Sequence, residues 1–249
     1  MRTNPAQSDP VHARRTVKTL TINGIHVSGR DDQTILEVAR ENGIHIPTLC
    51  ALEGLSTVAA CRVCLVEVAG RRGLVPSCST LIEEGMVVTT DDERLTEYRR
   101  KIVELLFSER NHVCAVCVSN GDCELQSLAQ ELGINHVRYP YLYPAADVDA
   151  THREFGIDHN RCILCTRCVG VCDEIEGAHT WDLTGRGLGT RVITDLKQDW
   201  GNSRTCTNCG KCVVCCPTGA LFHKGVGVGE QKKDTEFLPY LTSMREARE

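Results

Sequence analysis

The sequence predicts an α+β protein assembled from small cysteine-centred modules. Three observations carry that prediction. The chain opens on a strand–turn–strand–helix pattern. Its 16 cysteines among 249 residues fall into four groups. Aromatic residues make up only 4% of the chain, so a large aromatic core is not available and something else must help hold the fold.

The elements follow in order. Residues 1–15 read as a flexible, polar tail. Val17 to Ile22 alternates with period two, Asn23-Gly24 is a hairpin turn signal, and Ile25 to Val27 resumes the strand. Asp31 to Thr34 caps a short helix, Ile35 to Asn42, which stops at Gly43. Leu65–Val68 and Met86–Thr89 are strand-like. Asp92 to Arg110 has helical period, with Leu95, Tyr98, Ile102, Leu105 and Leu106 on one face. A second helix, Glu124 to Leu132, ends at Gly133. Residues 138–151 read as an extended linker, and 152–223 contain an internal repeat of cysteine runs. From 224 the chain is glycine-rich and then charged, with a short helix near the end, and is expected to carry no chemistry. The expected domains are 16–95, 96–137 and 152–223.

Composition excludes several classes. A net charge of −5 leaves no basic footprint for nucleic acid. No apolar run approaches the roughly 20 residues of a membrane span. The pair Arg14-Arg15 is not followed by an apolar export core, so a cytoplasmic chain is expected, and there abundant cysteine points to metal. No strand–GxGxxG–helix unit, P-loop or catalytic triad order is present, so no catalytic site and no site for flavin or nicotinamide is expected on this chain.

The first cysteine group is Cys50, Cys61, Cys64 and Cys78, a close C-x-x-C pair with two distant partners. A 2Fe–2S rhomb takes two thiolates on each iron, and loops deliver such sets. Four cysteines also suit tetrahedral zinc. The second group is Cys114, Cys117 and Cys123, with His112 nearby. Three thiolates leave one corner of a 4Fe–4S cubane open, which an imidazole fills. The third and fourth groups are Cys162, Cys165, Cys168, Cys172 and Cys206, Cys209, Cys212, Cys216. Both have the spacing of the bacterial ferredoxin run, in which the fourth cysteine ligates the other cluster. One 4Fe–4S cluster then takes Cys162, Cys165, Cys168 and Cys216, and the other takes Cys206, Cys209, Cys212 and Cys172. Cys215 is the one spare thiol and reads as a buried packing residue.

The small-residue loop before Cys61 and the β-rich start resemble a plant-type ferredoxin, which implies a β-grasp 2Fe–2S ferredoxin-like domain and weighs against zinc. The segment around Cys114 resembles the cluster with one histidine and three cysteine ligands in complex I and iron-only hydrogenases. There the histidine stands four residues before the first cysteine. That position is Arg110 here, and arginine keeps its proton, so His112 is the candidate.

The module order over residues 17–222 is similar to the start of the complex I large NADH-side subunit. In its short form, with Asn111 to Cys117, Cys123 to Gln126 and Arg161 to Cys168, it looks like the small diaphorase subunit of bidirectional NAD-reducing nickel–iron hydrogenases. That resemblance implies an electron-transfer subunit, without its own catalytic site, in a hydrogen:NAD oxidoreductase. It also implies a partner binding FMN and NAD, and hydrogenase small and large subunits holding the Ni–Fe site. An NAD-linked formate dehydrogenase or an electron-bifurcating complex is the alternative setting.

Overall fold

The computed structural model describes residues 16–246, so the predicted N-terminal tail, 1–15, lies outside the described residues. Strands β1 (Val17–Ile22) and β2 (Ile25–Arg30) form the predicted hairpin, with Leu20 opposite Val27. The turn places Asn23 at φ 52° and Gly24 at φ 80°, the left-handed pair that a tight hairpin needs. Helix α1 (Ile35–Glu41) starts from a capping box. The Thr34 side chain accepts from the Glu37 amide while the Glu37 carboxylate accepts from the Thr34 amide.

Strands β3 (Leu65–Val68), β4 (Leu74–Pro76) and β5 (Met86–Thr89) complete a five-stranded sheet in the order β2-β1-β5-β3-β4. β1 and β5 run parallel at its centre, which requires a crossover. That crossover contains α1 and the first cysteine loop. Ile22, Ile35, Val38, Val66 and Ile82 are fully buried between helix and sheet, so this module has its own apolar core.

Helix α2 (Glu93–Glu109) is capped by Asp92, whose carboxylate accepts from the Leu95 amide. Its inward face keeps Leu95, Ile102 and Leu106 but departs from the predicted one at two positions. Tyr98 is 41% and Leu105 48% exposed, while Arg99, Val103 and Glu104 are buried. The Arg99 guanidinium donates to the carbonyls of Val63, Leu65 and Thr90. Those bonds let a cation occupy a place that hydropathy gives to Tyr98. Helix α3 (Glu124–Glu131) lies against α2, and Leu125 and Leu128 enter a second core with Leu49, Cys50, Val103 and Cys165.

The linker carries a short strand, β6 (Val148–Asp149), paired with β7 (Phe155–Asp158). The repeat follows: α4 (Arg167–Gly170) runs into a π-helical turn, Val171–Glu176. A hairpin of β8 (Trp181–Thr184) and β9 (Arg191–Thr194) separates it from α5 (Lys211–Cys215), after which β10 (Leu221–His223) pairs with β7. The last segment ends in α6 (Phe237–Glu246). It does not hang free. Gly229 and Gln231 donate backbone bonds to Cys117 and Val118, Lys233 donates to the Thr218 carbonyl, and Leu238 is buried beside Leu52 and Leu55.

Candidate metal centres

The four thiols of the N-terminal loop converge. Cys50 lies within hydrogen-bonding reach of Cys61 and Cys78, and Cys78 within reach of Cys64. These contacts hold Cys50 and Cys64 below the ordinary thiol range and push Cys61 and Cys78 above it. The loop turns through left-handed residues on either side of Cys61, Ala59 at φ 51° and Arg62 at φ 60°. Backbone amides of Ala60 and Cys61 are thereby directed at Cys50. Arg99, beneath the loop, ties down the Val63 carbonyl.

The other donors gather around three pockets. His112, Cys114, Cys117 and Cys123 line the first. Cys162, Cys165, Cys168 and Cys216 line the second. Cys172, Cys206, Cys209 and Cys212 line the third. In each of the last two, three cysteines come from one run and the fourth from the other. Cys215 faces none of the three; it is fully buried, and desolvation pushes its thiol to about 12.

The repeat is visible in the backbone. Leu164 and Thr166 flank Cys165 at φ 52° and 63°, and Asn208 and Gly210 flank Cys209 at φ 61° and 70°. Left-handed non-glycine residues are costly singly, and their recurrence at matching places marks a strained loop that folds three thiols to one side. Leu164 and Thr166 are residue types with no left-handed preference, whereas Asn208 and Gly210 are types that favour it.

The cavity walls suit a soft, multi-atom occupant. The Thr180 amide donates to Cys172 Sγ at 3.3 Å and the Trp200 indole to Cys206 Sγ at 3.4 Å. Cys123 is the residue before α3, with the amides of Leu125 and Gln126 directed at its sulfur. Burial nonetheless pushes the Cys123 and Cys162 thiols up to about 11, so bare they are neutral. A bound metal reverses that by deprotonating them.

His112 Nε2 is buried without a hydrogen-bond partner. Its ring packs edge-on against Phe107 at 5.3 Å and hydrogen-bonds to the Leu106 backbone. Burial first, then the charges of Arg161 and Arg110, lower its pKa to about 4, so the imidazole is neutral as a metal ligand must be. Among the described residues no three His, Cys, Asp or Glu side chains stand close enough to hold a single ion. Each of the three pockets brings three soft thiols together with a fourth thiol or imidazole, the set of corner ligands that an iron–sulfur cubane takes. The residues present therefore fit iron–sulfur clusters.

One further residue joins the groups. Arg167, between Cys165 and Cys168, is 3% exposed. Its guanidinium forms a two-pronged pair with Glu124 at 2.5 and 2.7 Å and reaches the carbonyls of Ala51 and Cys215 at 3.4 and 3.5 Å. It thus contacts the chain neighbour of Cys50, of Cys123 and of Cys216. An arginine inside a cysteine run is the only sequence sign of it.

Family models agree with this picture. A 2Fe–2S iron–sulfur cluster binding domain matches residues 15–93. The iron–sulfur binding region of NADH-ubiquinone oxidoreductase G matches 99–138, and the ferredoxin-like domain of NADH-quinone oxidoreductase subunit 3 matches 155–222. Scaffold and thiol placement define an iron–sulfur protein with 2Fe–2S and 4Fe–4S modules. The NAD-reducing hydrogenase HoxS subunit gamma of Cupriavidus necator is 32% identical over 87% of this chain and 93% of that subunit. The chain belongs to that subunit's family. A chain of a crystal structure of NAD⁺-reducing [NiFe]-hydrogenase in the H2-reduced state superimposes with a TM-score of 0.77 at 32% identity, covering 90% of this chain and 96% of that one. The NADP-reducing hydrogenase subunit HndD of Solidesulfovibrio fructosivorans is 40% identical over 82% of this chain, which spans only 35% of that subunit. No described helix is long and apolar enough to cross a membrane.

Proposed function

We propose that this chain relays electrons between a subunit binding FMN and NAD and a nickel–iron hydrogenase module of small and large subunits, in reversible H2 oxidation coupled to NAD reduction. It holds one 2Fe–2S cluster on Cys50, Cys61, Cys64 and Cys78. It holds three 4Fe–4S clusters: on His112, Cys114, Cys117 and Cys123; on Cys162, Cys165, Cys168 and Cys216; and on Cys206, Cys209, Cys212 and Cys172. Each cluster, when bound, takes up and releases a single electron, which divides the two-electron hydride chemistry of the partners into single steps.

The observation that carries this reading is the set of three pockets, each lined by one complete predicted ligand set. The chain's own residues do the rest. They exclude water with Trp181, Trp200, Ile157 and Leu221 in the cavity walls, and they direct amide and indole donors at the sulfurs. They also fix the modules against each other through Arg167, Gln231 and Lys233, since an electron path needs constant separations. The domains carrying these roles are 16–95, 96–137 and 152–223.

Anaerobic capture of the tagged chain from its native cell tests the setting. The expected result is co-purification of flavin- and nickel-containing subunits, with H2-dependent NAD reduction. Capture of a formate dehydrogenase catalytic subunit without nickel overturns the hydrogenase assignment.

A further inference from the structure

The cavity lined by His112 and the cavity lined by Cys162 share a thin wall. Thr218 lines both. Its hydroxyl donates to the Arg161 carbonyl at 2.7 Å and lies 3.7 Å from Cys216 Sγ. Gly219, the next residue, has no room for a Cβ, which would overlap Cys117 Sγ. The wall is therefore about one backbone thick at this point. Arg161 completes it: its side chain lines the His112 cavity, while its chain neighbour Cys162 lines the other.

Arg161 is a poorly neutralised cation. Its Nε is buried with no hydrogen-bond partner. Its nearest carboxylate, Asp158, stands 3.4 Å from Nη1, longer than a well-made charged hydrogen bond, and both side chains are largely buried. Asp158 also accepts from the amide and side chain of Asn160 at 2.9 and 2.8 Å, which spreads its charge. Arg110, the other cation near His112, does not line the cavity. It donates to the Thr190 carbonyl and stands 3.4 Å from Glu109 on its own helix.

We infer that Arg161 is a positioning residue that raises the reduction potential of the His112 centre by placing a fixed positive charge in the wall toward the Cys162 centre. The inference rests on the reading that a cluster occupies the His112 cavity. The physical reason is elementary. A centre becomes more negative on reduction, and a cation in a low-dielectric wall stabilises that state. Arginine suits the task because it keeps its proton at every working pH. Asp158, on the far side of the guanidinium, moderates the same field.

The test is an EPR-monitored redox titration of the intact complex carrying Arg161→Gln, Arg161→Lys or Asp158→Asn. The His112 centre is identified by the signal that His112→Cys alters. The expected result is a midpoint moved negative by Arg161→Gln, restored toward the parent value by Arg161→Lys and moved positive by Asp158→Asn, with iron content unchanged. A midpoint that stays put in Arg161→Gln and Asp158→Asn, with full iron content, overturns the inference. If Arg161→Gln loses its iron, Asp158→Asn decides alone, and an unmoved midpoint there overturns it equally. Absence of any His112-dependent signal in the parent complex instead defeats the reading of the centre itself.

Discussion

The N-terminal module and the repeat module hold four thiols in opposite ways. In the first, the thiols touch one another at the edge of a sheet that has its own apolar core. In the second, two sets of four thiols line separate pockets, and five cysteines, Cys168, Cys172, Cys212, Cys215 and Cys216, stand in the core among Ile157, Trp181, Trp200 and Leu221. The contrast matches the proposed occupants, since a two-iron rhomb is smaller than a four-iron cubane. It also shows where folding energy comes from. The first module buries Ile, Leu and Val between helix and sheet, whereas the second has short helices of four and five residues that cannot stand alone.

Removing iron breaks the comparison hardest. Chelation under anaerobic conditions is expected to abolish amide-exchange protection across β7, α4, α5 and β10 while β1, β3 and β5 stay protected. Uniform loss across both modules would show that the sheet also depends on metal. Next in size is Arg167→Gln, which leaves Glu124 unpaired beside Cys123 and frees the carbonyls of Ala51 and Cys215. Glu124 is partly exposed, so the expected cost is about 2–4 kcal/mol of stability, read as a lower denaturant midpoint, below the full range for a buried pair. A smaller, local effect belongs to Gly219→Ala. Its Cβ would overlap Cys117 Sγ, at a cost of about 1–3 kcal/mol, and should deplete iron from the His112 centre alone. Smallest is Thr34→Ala, which removes the capping box of α1. It should cost about 1 kcal/mol in thermal unfolding of the sheet module and leave every iron in place.

Much of this was legible in the sequence, because the relevant signals are local. The Asn23-Gly24 hairpin, the Thr34 cap and the two ferredoxin runs depend on neighbours a few residues apart. The placement of Cys216 beside the first run and of Cys172 beside the second agrees with the spacing of the runs as well. Illegible were features whose partners lie far along the chain. Arg99 shifts the buried face of α2, keeping Leu95 inside but leaving Tyr98 and Leu105 exposed, because the carbonyls of Val63, Leu65 and Thr90 accept its hydrogen bonds. The segment after residue 224 is expected to carry no chemistry, and its packing was not legible: Gln231 is buried and donates to Ser119 and Leu221, contacts that no periodicity encodes. The left-handed turns at Leu164 and Thr166 were likewise hidden, since their residue types give no hint of positive φ.

The central claim is one small cluster and three large ones on the named donors. Mössbauer spectroscopy of the ⁵⁷Fe-labelled chain within its native complex tests it most directly, with His112→Cys and Cys50→Ser variants assigning the sites. The account predicts about 14 irons on this chain, roughly one-seventh of them in a 2Fe–2S signal that Cys50→Ser removes, with one 4Fe–4S component altered by His112→Cys. A chain holding fewer than three 4Fe–4S components, or one whose spectrum His112→Cys leaves untouched, contradicts it.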